Sequence, residues 1–168
     1  MFLLITASLS WALIFALLAL LAVTDIRSYL LPNRLVAALA ITIYSFHIST
    51  HWQFLSVSES LIGLIAGGGF LLVVRTIANK VTKTDALGLG DVKFMGASGL
   101  LLGFPGIFLA LSLGAFLGIF HGVLLQYLEN ARTGKKPPLA TVNVPAGAGL
   151  ALGVALVALY QIGFWWQK

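Results

Sequence analysis

Two aspartates stand where they could do chemistry. Asp25 opens "DIRSYLLPN" (25–33), and Asp91 closes "TDALGLGD" (84–91). Acids are scarce, five in 168 residues, so each one calls for a reason. Two carboxyls a few ångströms apart in a partly desolvated place cannot both ionise cheaply, and one of them keeps a proton. The ionised partner then accepts a proton from water while the protonated one donates to a scissile carbonyl. That is the chemistry of an aspartic protease. Whether the fold brings Asp25 and Asp91 together is left open by the sequence.

Each motif also has a plain local explanation. Gly88 and Gly90 let the backbone turn tightly and approach a neighbour, which places Asp91 at or near a helix N-terminus, where the dipole favours negative charge. A glycine-rich loop with an aspartate N-cap accounts for the same residues, and no G-x-G-x-x-G fingerprint is present. Pro32 suits the first turn of a second helix, where a missing N–H is no loss. Asp25 alone reads equally well as a solvated charge balanced by Arg27. Together the motifs say more, because both acids fall at a membrane boundary, beside a helix-breaking element and on the same side.

The boundary follows from composition. Hydrophobic residues make up 60% of the chain and charged residues 9%, with a mean hydropathy of +1.02. Soluble domains carry about 25% charge, and a water-soluble fold of this composition would expose aggregating apolar patches. The chain therefore reads as one membrane domain, 1–168, without room for a sizeable soluble one. It has no cysteine, which excludes disulfides, cysteine-ligated zinc and a thiol nucleophile. The N-terminus lacks a basic n-region and a clear cleavage site, so it reads as a retained first span.

Charge positions divide the chain into about six transmembrane helices, an all-α polytopic bundle. Residues 1–24 carry no charge, enough at 1.5 Å per residue to cross a ~30 Å core. Further spans are expected at 35–58, whose end (His47, Ser49, Thr50 and His51) reads as interfacial, and at 60–78. The uncharged run 94–128 is too long for one crossing, and "GFPG" (103–106) supplies a break, giving a short span at 92–103 and a full one at 106–127. After the polar loop "NARTGKKPP" (130–138), a last span at 145–165 ends in the aromatic belt "FWWQK". Nine Lys and Arg fall on the side of the odd-numbered loops, and Lys168 alone on the other. By the positive-inside rule those loops are cytoplasmic and both termini lie on the outer, periplasmic side. Asp25, Asp85, Asp91 and Glu129 then lie at cytoplasmic ends, and Glu59 lies outside.

With these residues in view, the chain resembles the type IV prepilin peptidase family, the bacterial GxGD membrane aspartyl proteases. "DIRSYLLPN" is similar to that family's first motif, an aspartate followed by an aliphatic-Pro-Asn/Asp turn. "DALGLGDVKF" is similar to its acid-x-Leu/Met-Gly-x-Gly-Asp-x-Lys motif, and "VPAGAGLALG" (144–153) more weakly to a Pro-rich entry into its last helix. The resemblance implies a multi-pass protein of the bacterial inner membrane, an endopeptidase that removes the basic leader of prepilins or pseudopilins at the cytoplasmic face. It maps the catalytic pair onto Asp25 and Asp91. It makes Asp85, Gly88, Gly90, Lys93, Pro32 and Asn33 supporting residues and requires no metal or organic cofactor. Two departures stand out. The four-cysteine zinc region of many members is missing, so N-methylation is not expected, and Ala146 and Ala148 replace bulkier or Pro residues in the third motif.

Other features read more simply. Gly63 and Gly67, and Gly114, Gly118 and Gly122, are spaced for close helix packing. His121, inside the fifth span, reads as a hydrogen-bonded neutral histidine, and a metal set of Asp25, Asp91 and His121 has no ligand spacing behind it. "RTGKKPP" lies where it would meet lipid headgroups or simply solvent. The basic residues are scattered without interleaved aromatics, against nucleic acid as a partner. A homodimer is left open. The rival functions are a small transporter or proton pathway, and an inactive assembly protein of a pilus or secretion system.

Overall fold

The computed structural model describes residues 2–84, 87–133 and 146–165. The described residues form five helices and no strand: α1 (Phe2–Ser28), α2 (Asn33–Ser49), α3 (Val57–Thr82), α4 (Leu89–Thr133) and α5 (Ala146–Trp165). Among the described residues, four stretches are long and apolar enough to cross a membrane: Ile5–Ser28, Val57–Thr82, Leu89–Leu128 and Ala146–Phe164. Their apolar side chains point outward as well as inward. Ile65, Phe116 and Ile119 are each 68% exposed, a surface suited to lipid rather than water.

α4 is the hub and packs on α2, α3 and α5, while α1 packs on α2 and α5. It is not one rod. Gly103 adopts φ 68°, ψ −175°, a conformation open essentially to glycine alone, and Pro105 withholds an N–H two residues on. The two arms, 89–102 and 104–133, run back along one another, since Met95 from the first and Ile107 from the second both lie against Gly67 of α3. The break expected at "GFPG" is therefore present, and its pivot is Gly103.

A helix ended this abruptly strands its last carbonyls, and three neighbouring elements catch them. The Leu100 carbonyl accepts from His47 Nε2 at 2.9 Å and from Ser60 Oγ at 2.5 Å. The Leu102 carbonyl accepts from Gln161 Nε2 at 3.0 Å. A carbonyl only accepts, so the proton of neutral His47 sits on Nε2. Its ring lies parallel to Trp52, with centroids 4.8 Å apart.

The second helix is shorter than the expected span 35–58. It stops at Ser49, and His51 and Trp52 then take left-handed backbone angles. α3 starts earlier than expected, at Val57, because Ser56 and Glu59 form a capping box, each satisfying a backbone N–H of the other. On the remaining interfaces glycine permits contact between backbones. A Cβ at Gly63 would collide with the Gly99 carbonyl, and one at Gly114 would come within 2.7 Å of the Leu150 Cα.

Candidate active site

α1 carries Asp25 to the end of its last turn. The chain leaves the helix through Tyr29, whose N–H bonds the Asp25 carbonyl at 2.8 Å and whose φ of 53° turns it aside. Pro32 caps α2 with extended angles and accepts from the N–H groups of Leu35 and Val36. It thus sits one step before the helical position expected for it. Asn33 begins α2 and accepts from Lys93 Nζ at 3.0 Å, tying the first motif to the second.

Asp91 stands in the first turn of α4, half-buried. The Gly88 N–H donates to its carboxylate, so the carboxylate caps its own helix. A Cβ at Gly88 would lie 3.2 Å from Asp91 Oδ2, and one at Gly90 would lie 3.0 Å from the Leu31 Cβ. Arg75 on α3 steadies the approach, its Nε donating to the Leu87 carbonyl at 2.8 Å.

Asp25 is only 5% exposed. Its Oδ2 accepts from the Ala148 N–H at 2.9 Å, and the Gly147 N–H also donates to it. Both donors belong to the first turn of α5, whose N–H groups have no partner within the helix and whose dipole favours an anion. Gly147 is needed for the fit, since a Cβ there would lie 2.9 Å from Asp25 Cγ and 3.1 Å from Leu31 Cδ1. Leu31 therefore touches both halves: its Cδ1 faces Gly147 beside Asp25, and its Cβ faces Gly90 beside Asp91. Asp91 lies within reach of the Asp25 charge.

The fold thus gathers Asp25, Asp91, Gly88, Gly90, Pro32, Asn33 and Lys93 at one end of the bundle. Asp85 and the side chain of Glu129 lie outside the described residues. His121 does not join the two aspartates in a three-ligand group among the described residues. It is exposed on the second arm of α4. Leu31, Arg75 and Gly147 are residues of this site that sequence reasoning did not single out, and Ala148 stood out only as a departure in the third motif. The glycines of "PAGAG" were the visible signal for Gly147.

Asp25 and Asp91 are thus two carboxyls held by backbone donors within each other's field. A model of the type IV leader peptidase family matches residues 12–123. The chain belongs to that family. Three curated relatives are each named prepilin leader peptidase/N-methyltransferase. The protein from Aeromonas hydrophila is 28% identical over 165 residues, covering 95% of this chain and 56% of the relative. The Pectobacterium carotovorum subsp. carotovorum protein is 29% identical over 141 residues, 84% of this chain and 47% of the relative. The Escherichia coli (strain K12) protein is 28% identical over 141 residues, 84% and 58%. The chain spans about half the length of the curated relatives it matches. No solved structure matches it. The family match runs through Asp25, Asp91 and the α4 hairpin, and stops before the start of α5.

Proposed function

We propose that the chain is a membrane-embedded aspartic endopeptidase that cleaves the basic leader of type IV prepilins or pseudopilins at the cytoplasmic face of the bacterial inner membrane. In this reading α1, α2, α3, the two arms of α4 and α5 make six crossings, with both termini periplasmic. Asp25 and Asp91 share one proton. The ionised carboxyl draws a proton from a water molecule as that water attacks the scissile carbonyl, and the protonated one donates to the carbonyl oxygen. Gly88, Gly147 and Ala148 hold the pair through backbone N–H groups, which need no reorganisation as charge shifts. A prepilin suits this depth, because its leader is basic and the chain after the cut is an apolar helix that stays in the bilayer.

What carries the reading is the meeting of Asp25 and Asp91 at one end of the bundle, joined through Leu31. A proton pathway would string acids along the spans. Here one aspartate is three residues from the end of α1 and the other is in the first turn of α4. An inactive assembly protein differs only in turnover, which co-expression with a prepilin decides. Asp25→Asn and Asp91→Asn are each expected to abolish processing, a loss of about 10²–10⁴-fold or more, with the protein still in the membrane. Processing that survives either substitution removes that aspartate from the dyad.

A further inference from the structure

The glycines at 114 and 118 look alike in sequence and do different things. At Gly114 a Cβ would run into α5 backbone, whereas at Gly118 it would meet nothing within 4 Å. Packing therefore does not require the missing side chain at Gly118. The space it leaves is a crevice of about 210 Å³ between the end of α1, the second arm of α4 and the start of α5. Its walls are Ile26, Leu117, Phe120 and Leu152, with His121 as the one ionisable side chain among the described residues.

The crevice adjoins Asp25. Ile26 follows Asp25 in the chain, and Ala148, which also lines the crevice, holds the Asp25 carboxylate. We propose that this crevice is the subsite for one uncharged side chain next to the scissile bond, with Gly118 setting its depth and His121 flanking it. The proposal rests on the endopeptidase reading above. An extended peptide advances about 3.3–3.6 Å per residue, and its successive side chains point to opposite faces. A carbonyl held at Asp25 thus puts a neighbouring side chain within reach of the crevice. Apolar walls exclude a charged group, which would lose its hydration there. An apolar cavity of ~150 Å³ holds a benzene ring, so this one accepts anything from a methyl group to an aromatic ring.

The test uses the full chain, purified with its lipids, and a series of leader-bearing substrates with Ala, Leu, Phe, Trp or Asp on either side of the cut. The wild type is expected to cleave the uncharged members and to reject Asp on one of the two sides. Gly118→Leu fills the crevice from its floor. It is expected to lower kcat/KM for Phe and Trp on that same side by about tenfold or more, while Ala substrates turn over as before, which also shows that the variant folds. His121→Ala widens the crevice and is expected to improve Trp relative to Ala. A Gly118→Leu profile that falls uniformly, or does not change, overturns the subsite and leaves the peptidase reading standing. A wild type that cleaves none of the series, although the leader is accessible, overturns the peptidase reading and this inference with it.

Discussion

The N–H of Ala148 meets the Asp25 carboxylate at 2.9 Å, across 123 positions of sequence. This bond docks the start of α5 onto the end of α1, and it uses a donor that the helix itself leaves free. Because the donor is backbone, the side chain at 148 is unconstrained by it.

Replacing that donor isolates its contribution. Ala148→Pro removes the N–H without costing an intrahelical bond, because position 148 is in the first turn of α5. Gly147 before it has no Cβ to clash with the proline ring. A hydrogen bond to a charged group contributes about 1.5–3 kcal/mol, so leader cleavage is expected to fall by roughly 10–100-fold. Ala148→Ser keeps the donor and is expected to keep the activity. Gly147→Val drives a side chain into Asp25 and should resemble Asp25→Asn in a cleavage assay.

The pivot of α4 is open to the same kind of test. Gly103→Ala forces a Cβ into a region of backbone space that only glycine occupies readily, at a cost of about 1–3 kcal/mol, and brings it 3.2 Å from Leu55 Cδ1. Gln161→Leu removes the side-chain donor to the Leu102 carbonyl, for about 0.5–1.5 kcal/mol. Each is expected to lower the midpoint of thermal unfolding in detergent. The double variant should fall short of the sum, because both act on one turn.

How much of this was legible beforehand depends on what kind of group acts. Asp25, Asp91 and the glycines before Asp91 stood out because charge and backbone freedom are rare in so apolar a chain. The break at "GFPG" was visible for the same reason. The end of α2 showed only as the polar group His47, Ser49, Thr50 and His51, since residues 50–56 carry no Asp, Glu, Lys or Arg and their turn depends on two left-handed residues and the stacking of Trp52 on His47. The start of α3 was readable from Ser56 and Glu59, which stand three apart, the spacing of a capping box. Ala148 was hidden in principle, because a backbone donor leaves no mark on residue type. The two faces of the Gly114/Gly118 stripe were equally hidden, since spacing says where a glycine lies and not what it faces.

The bond between Lys93 and Asn33 should show as a coupling rather than as two independent losses. It joins the two sequence motifs at an exposed position, where such a contact contributes about 1 kcal/mol or less. In a double-mutant cycle of Lys93→Met and Asn33→Ala, the single changes are expected to cost nearly as much as the pair. Independent, additive effects would mean that the motifs are aligned by Leu31 and the backbone alone.

Sidedness is the last consequence. The protein has no cysteine, so one introduced thiol is the only thiol and its labelling reports one position. Ser28 and Thr84 are exposed at the end of the bundle that holds Asp25 and Asp91, and Gln53 is exposed at the other end. Arg27, Arg34, Lys80, Lys83 and Lys93 cluster at the first end, where positive charge is retained in the cytoplasm. In spheroplasts, a membrane-impermeant maleimide is expected to label Gln53→Cys directly. It should reach Ser28→Cys and Thr84→Cys only after the membrane is opened. The reverse pattern would put the aspartates on the outer face, away from any leader that is cut before export. The pair would then need a periplasmic substrate, even though its geometry were unchanged.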